Sequence, residues 1–141
     1  MATACLTEAE WEFAARSRGG NDKWAGTSSE SALSNYANYY ESGSKGGYMQ
    51  TAPVGSFRAN KLGLHDMSGN VWEWCWDWYD SDYYKNSPSR NPRGPSTGSY
   101  RVQRGGSWRG EPARLRCAFR LGGTPGYSSL FIGFRLSRTA E

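Results

Sequence analysis

The chain has 141 residues, which is enough for one domain with a single core and too few for two domains of ordinary size. Aromatic residues make up 15% of the sequence and 18 residues are glycine, so we expect a core of a few large rings joined by irregular turns. The net charge is +4, but residues 101–141 carry arginine and no lysine, a set that suits ion pairs with carboxylates at least as well as a track for nucleic acid.

The first predicted element is a short helix over residues 8–16. Thr7 and Glu10 have the spacing of a capping box, in which the threonine hydroxyl accepts a hydrogen bond from the backbone of residue 10 and the glutamate reaches back to residue 7. Leu6 and Trp11 occupy the two staple positions around this box. A glycine pair follows and ends the helix.

A long irregular stretch comes next, because residues 19–60 show neither a helical nor a strand period. They are rich in glycine, serine, asparagine and tyrosine, and Thr51–Val54 is the only segment that we expect to be extended. A stretch of this length inside a globular domain needs to be held by a metal ion, by aromatic packing or by both.

Residues 71–79 alternate strictly between two kinds of side chain, which predicts a β-strand. Tryptophan occupies positions 72, 74, 76 and 78 on one face, and the opposite face carries Glu73, Cys75 and Asp77. Four indole rings in a row would bury a large apolar area. We therefore expect the tryptophan face to form a wall of the core.

The last third contains two further short strands, predicted at residues 101–104 and 132–136 after a surface loop over 80–99. Between the two strands, residues 105–131 are dense in glycine, arginine and small side chains and have no periodicity. No internal repeat is present in the sequence.

Residues for common catalytic chemistry are scarce. His65 is the only histidine, and no serine or cysteine stands near it at the spacing of a nucleophile, which argues against acyl transfer. Gly105–Trp108 is followed by neither a Lys-Ser/Thr pair nor a helix signal, so it is not a phosphate-binding loop. We expect His65 to be a loop residue, exposed or hydrogen-bonded.

One turn carries oxygen ligands that could serve a metal ion. Asp66 and Glu73 lie on either side of the turn at Gly69, and carboxylates and loop carbonyls are the hard ligands that Ca²⁺ prefers. A capped turn with Glu73 paired to an arginine explains the same spacing at least as well. Both interpretations stay open from the residues alone.

The three cysteines, Cys5, Cys75 and Cys117, are odd in number and far apart, which predicts neither a disulfide framework nor a zinc site. Reduced thiols favour a cytoplasmic setting. No apolar stretch approaches the length that crosses a membrane, and the first residues do not resemble a signal peptide. We expect a soluble protein without a membrane segment.

Five motifs occur in one order that resembles the formylglycine-generating-enzyme (sulfatase-modifying factor) family. They are Thr7–Arg16, Thr51–Phe57, Gly63–Trp74, Arg104–Trp108 and Gly133–Leu136. The resemblance implies an α+β, C-type-lectin-like fold with few short strands, one or two short helices and much irregular loop. Residues 1–141 would form one such domain, corresponding to the later part of the family domain.

The resemblance also bears on metals and catalysis. It implies a structural calcium ion bound by the side chains of Asp66 and Glu73 and by the carbonyls of Gly69 and Val71. The enzymes bind copper through two cysteines that follow their counterpart of Trp108, whereas residues 109–116 here contain no cysteine. We therefore expect no copper and no enzyme activity.

Residues 101–136 resemble the variable repeat of the proteins that diversity-generating retroelements diversify. In those proteins, mutation at adenines changes asparagine codons into codons for other residues. Most residues between the framework positions are types reachable in this way, although Glu111 is not. The apolar residues among them fit an exposed recognition patch better than a core. The residues expected to bind the ligand are Arg109, Gly110, Glu111, Arg114, Leu115, Cys117, Phe119, Leu121, Gly122, Gly123, Tyr127, Ser128, Ser129, Leu130 and Phe131.

The sequence thus predicts a binding protein whose rigid scaffold presents a hypervariable surface to an unknown macromolecule, most simply a protein and not a nucleic acid. One alternative is an oxidase of the family or a relative of the sulfoxide synthases, which would need a cysteine pair or a histidine cluster. Another is a structural or regulatory domain of a larger protein.

Overall fold

The computed structural model describes residues 3–40 and 48–138. Within them, one α-helix and six short strands are joined by long irregular segments and by 3-10 helices at Glu30–Asn35, Tyr83–Lys85 and Pro112–Leu115. This is the α+β architecture expected from the sequence, with few strands and much loop.

Helix α1 spans Glu8–Ala15 and begins as predicted. The backbone N–H of Glu10 donates to the Thr7 hydroxyl at 3.3 Å, and the Glu10 carboxylate accepts from the Thr7 N–H at 2.8 Å. Both halves of the capping box are therefore present. Trp11 and Ala15 on one side of the helix are buried in the core.

The strands form two sheets. Strand β1 (Thr3–Cys5) pairs antiparallel with β6 (Leu136–Arg138). The strands of the larger sheet are β2 (Trp72–Trp78), β3 (Arg101–Arg104), β4 (Leu121–Gly123) and β5 (Ile132–Phe134). Their order is β4-β3-β2-β5, with β3 antiparallel to β2 and β4, and β5 parallel to β2.

Two strand predictions are confirmed and two need correction. Strands β2 and β3 lie where the sequence predicted them. The strand predicted at 132–136 is divided into β5 and β6, which belong to different sheets. Thr51–Val54 is part of no strand, although Ala52 is buried and its N–H donates to the Asn70 side chain at 2.8 Å.

The predicted tryptophan wall is wrong, because the other face of β2 is buried in the core. Glu73, Cys75 and Asp77 are all buried, whereas Trp76 is 57% exposed. The guanidinium of Arg101 lies 3.6 Å from the centre of the Trp78 ring and 5.6 Å from that of Trp76, so arginine covers part of this face.

Two carboxylates can point into the core because each finds donors there. Glu73 Oε2 accepts from the Trp11 indole at 2.7 Å and from Arg135 Nε at 3.1 Å, while its Oε1 accepts from Arg135 Nη2 at 2.8 Å. Asp77 Oδ2 accepts the backbone N–H of Glu8 at 2.7 Å. Burial still raises the pKa of Asp77 above its ordinary value.

A second network of ion pairs connects helix α1 to Arg104 and Arg120 in the last third of the chain. Arg104, which is fully buried, binds Glu8 at 2.8 Å and Glu12 at 2.5 Å. Arg120 binds both oxygens of Glu8, at 2.7 and 2.8 Å. Burial opposes the ionisation of Glu12, but the charge of Arg104 and its hydrogen bond outweigh it and lower the pKa of that carboxyl. The expectation that arginines form structural ion pairs is confirmed for these residues.

Candidate functional site

The last third of the chain surrounds an open cavity of about 490 Å³. This volume lies within the range of small-ligand sites, roughly 300–1,000 Å³. Its lining residues are Trp72, Gln103, Ser107, Arg109, Gly110, Glu111, Arg114, Leu121, Tyr127, Ser129, Phe131 and Ile132. Eight of them belong to the surface predicted from the sequence.

The floor of the cavity is the tryptophan side of the larger sheet. Trp72 of β2 stands opposite Ile132 of β5, and Gln103 of β3 stands opposite Leu121 of β4. Gln103 is only 3% exposed, and its Nε2 atom has no hydrogen-bond partner. A buried amide donor without a partner costs free energy unless a ligand supplies an acceptor.

The rim at Arg109 is held by aromatic rings. The rings of Trp108 and Phe131 are 5.2 Å apart, and the Arg109 guanidinium lies 5.9 and 5.8 Å from their centres. The loop itself is anchored to the frame, because the N–H of Trp108 donates to the carbonyl of Asn70 at 2.8 Å. Arg109 is thus an exposed cation with a restricted position.

A tight turn precedes another lining residue, Tyr127. The N–H of Tyr127 donates to the carbonyl of Thr124 at 3.1 Å, and Gly126 has a φ of 82° after Pro125, as a type II turn requires. The turn leaves Tyr127 59% exposed, and Leu130 beyond it is also exposed.

Two of the predicted ligand-binding residues belong to the core instead. Leu115 and Cys117 are fully buried, so their assignment to the recognition surface is corrected. Leu115 packs with Trp24 and Leu33, and Cys117 lies in the cluster around Trp11. Both face inward because the 3-10 helix Pro112–Leu115 and the residues after it cover the interior. A segment without periodicity gives no signal in the sequence for this geometry.

The other predicted residues lie at or near the cavity. Phe119 is half-buried against Trp72, with ring centres 5.9 Å apart, and Gly122 and Gly123 belong to β4 beside the floor. Ser128 and Leu130 are exposed outside the lining. Sequence reasoning missed the floor residues Trp72, Gln103, Ser107 and Ile132, although alternation in the strands is a signal for three of them.

The turn expected to bind calcium offers a mixed set of ligands. Asp66 Oδ1 is buried without a hydrogen-bond partner, while its Oδ2 accepts from the N–H of Gly55 at 2.8 Å. Glu73 is already paired with Arg135, as the alternative interpretation required. Asp66 and Val71 line one open cavity together with Glu73. The carboxylate of Asp66 has an oxygen free to bind a cation, whereas the carboxylate of Glu73 is shared with the guanidinium of Arg135.

The thiols do not fit a copper centre. Cys75 and Cys117 are buried free cysteines, and burial raises the pKa of the Cys117 thiol to about 11. Across residues 3–40 and 48–138, no three His, Cys, Asp or Glu side chains are grouped to hold a metal ion. His65 is exposed on its loop, with Nδ1 2.7 Å from the carbonyl of Phe57.

The same part of the chain contains no helix that combines the length and the apolar character needed to cross a membrane.

Residues 4–140 match the family of sulfatase-modifying factor enzyme 1-like domains. The formylglycine-generating enzyme of Streptomyces coelicolor is 39% identical over 145 residues, which cover 96% of this chain and 46% of the enzyme. Serine/threonine-protein kinase pkn1 of Chlamydia caviae is 43% identical over 134 residues, which cover 94% of this chain and 20% of the kinase. The chain thus spans less than half of either relative.

The solved structure of Treponema denticola variable protein 1 superposes with a TM-score of 0.86 at 42% identity, covering 95% of this chain and 46% of that one. This likeness confirms the C-type-lectin-like fold and the resemblance to a variable protein.

Proposed function

Because the chain belongs to the family of sulfatase-modifying factor enzyme 1-like domains, we propose that it uses this scaffold as a binding domain without catalysis of its own. The ligand is a macromolecule, most simply a protein. The recognition surface is formed by those of residues 109–131 that line the cavity, and the two core residues Leu115 and Cys117 are not part of it. The observation that carries the proposal is this cavity, walled by the non-periodic segment and open to solvent.

The composition of the cavity supports binding. Tyr127 and Phe131 are rigid aromatic anchors with few torsions to immobilise, and Ser129 beside them adapts its hydrogen bonding, a combination typical of recognition loops. The glycine turn places Tyr127 at the surface, and the sheet beneath fixes the floor. A rigid frame under exposed anchors reduces the entropy lost on binding.

The absence of catalysis is proposed from the thiols. Oxidation in the formylglycine-generating enzymes uses two cysteines, whereas residues 109–116 have none and Cys117 lies in the core as a protonated thiol. Incubation of the purified chain with copper and a cysteine-containing peptide should yield no aldehyde by mass spectrometry. Formation of formylglycine in this assay would overturn the proposal.

We further propose that this surface is diversified by a retroelement, a proposal that the likeness to Treponema denticola variable protein 1 supports. A near-copy of the codons for residues 101–136 should lie beside a reverse-transcriptase gene and differ from them only at adenines. Differences spread over all four bases would contradict it.

Binding is tested with peptides selected from a phage-displayed random library on the immobilised chain. Tyr127→Ala should lower the affinity for the selected peptides about tenfold or more, as loss of an aromatic anchor does. Phe13→Ala is a matched control, because Phe13 is 56% exposed, close to the 59% of Tyr127, and does not line the cavity. Equal losses in both variants, or no loss in either, would contradict the assigned surface.

A second candidate is a structural or regulatory domain of a larger protein. It is favoured by one observation, the 43% identity to a kinase of which the matched residues form only 20%. This candidate predicts that the library yields no peptide whose binding depends on the cavity residue Tyr127.

A further inference from the structure

The arginines near the cavity differ from those of the frame in having no acidic partner. Arg104, Arg120 and Arg135 are paired with carboxylates of the chain. Arg109 and Arg114 line the cavity, and within residues 3–40 and 48–138 neither side chain makes an ion pair. Two uncompensated guanidinium groups therefore face one concave site.

We propose that the ligand presents an acidic side chain, Asp or Glu, to Arg109 and Arg114, next to an apolar or aromatic side chain that packs on Tyr127 and Phe131. The inference rests on the proposed function and names the chemistry of the partner, an acidic segment of a protein.

The donors on the cavity suit a carboxylate. A guanidinium presents parallel N–H groups that match the two oxygens of a carboxylate, and charge-assisted bonds of this kind are about twice as strong as neutral ones. Arg109 is already positioned by Trp108 and Phe131, so little side-chain entropy remains to be lost when it binds.

The remaining charge favours a short acidic segment over a polyanion. Glu111 lines the same cavity, is exposed and has no ion-pair partner among the described residues, so it repels a second negative group. A nucleic acid binds through a track of several cations that neutralise successive phosphates. Two arginines beside a glutamate form no such track. They can bind one carboxylate of the ligand, and Glu111 can then accept a hydrogen bond from a donor group of the ligand.

The experiment compares the peptides selected on the wild-type chain with charge variants of the cavity. The selected peptides should share an Asp or Glu beside an apolar residue. Replacing that acidic residue of the peptide by Asn or Gln should lower the affinity, measured by fluorescence polarisation, about tenfold or more. Arg109→Gln and Arg114→Gln should each cause a similar loss. In the double variant the amide replacement should have no further effect.

Arg116→Gln is the matched control for charge. Arg116 is an exposed cation that follows the same 3-10 helix, its Nε donates to the carbonyl of Ala113 at 2.9 Å, and it does not line the cavity. It should change the affinity less than threefold. Circular dichroism melting of each variant verifies that the fold is retained.

The outcomes separate this inference from the proposed function. Selected peptides that lose affinity with Tyr127→Ala but show no acidic preference would overturn the acidic ligand alone. A library without any binding peptide contradicts the binding function and this inference together. Tight binding of fluorescein-labelled dT12 that is lost in Arg109→Gln would assign the arginines to phosphates and overturn the acidic segment.

Discussion

The two sides of the larger sheet use the same residue type in opposite ways. On the buried side, Arg104 and Arg135 neutralise carboxylates that lie within the core. On the cavity side, Arg109 and Arg114 face solvent and form no ion pair within the described residues. The difference teaches that an arginine-rich segment becomes frame or recognition surface according to whether the rest of the fold supplies the opposite charge.

The largest effect that distinguishes the two sides should come from Arg104→Met. This change removes the fully buried cation between Glu8 and Glu12, leaving Glu8 with Arg120 and Glu12 with Arg16 as its only ion-pair partner among the described residues. It also removes the donor to the carbonyls of Phe119 and Cys117, so the free energy of unfolding should fall by about 3–5 kcal/mol. Urea denaturation followed by circular dichroism measures the loss.

Arg114→Met is the paired change on the cavity side. It should alter the free energy of unfolding by less than about 0.5 kcal/mol, because the Arg114 side chain is exposed and makes no ion pair in the described part of the chain. Similar losses in the two variants would mean that the division between frame and recognition surface is wrong.

Two glycines with similar backbone angles sharpen the comparison. Gly69 and Gly126 have φ values of 77° and 82°, so alanine is strained at both. A Cβ on Gly69 would lie 2.2 Å from the carbonyl oxygen of Asn38, whereas a Cβ on Gly126 would meet nothing within 4 Å. Gly69→Ala should cost about 3 kcal/mol or more and Gly126→Ala about 1 kcal/mol. Thermal melting of both variants checks the difference, and an equal cost would contradict it.

Local signals in the sequence were sufficient for the helix, two strands and most of the cavity. The capping box fixes where α1 begins because both of its partners lie within four residues. The non-periodic segment also predicts the exposed anchors, but its lack of a period does not show that Leu115 and Cys117 within it belong to the core. The fold itself followed from the order of the five motifs.

Signals that depend on distant partners could not be read in the same way. Alternation in β2 shows which residues share a face but not which face is buried. Glu73 and Asp77 point inward because Arg135, Trp11 and the N-terminus of α1 provide donors far away in the sequence. Apolar area alone predicts a wall of four tryptophans, whereas burial of Glu73 and Asp77 is tolerated only because these distant donors are present.

The smallest expected effect concerns calcium, which we propose binds at the turn at Gly69, between Asp66 and Glu73. The buried Oδ1 of Asp66 has no hydrogen-bond partner, whereas Glu73 shares its charge with Arg135, so we expect a weak site. Millimolar Ca²⁺ should raise the melting temperature by a few degrees relative to EGTA, about 1 kcal/mol of linkage. Asp66→Asn should abolish the difference, because the amide replaces an anionic ligand with a neutral one. Asp82→Asn is the control, since Asp82 is exposed and its one ion pair among the described residues is with Lys85, three residues later. Melting curves that coincide in Ca²⁺ and EGTA would contradict the calcium site and leave Glu73 held by Arg135 and Trp11.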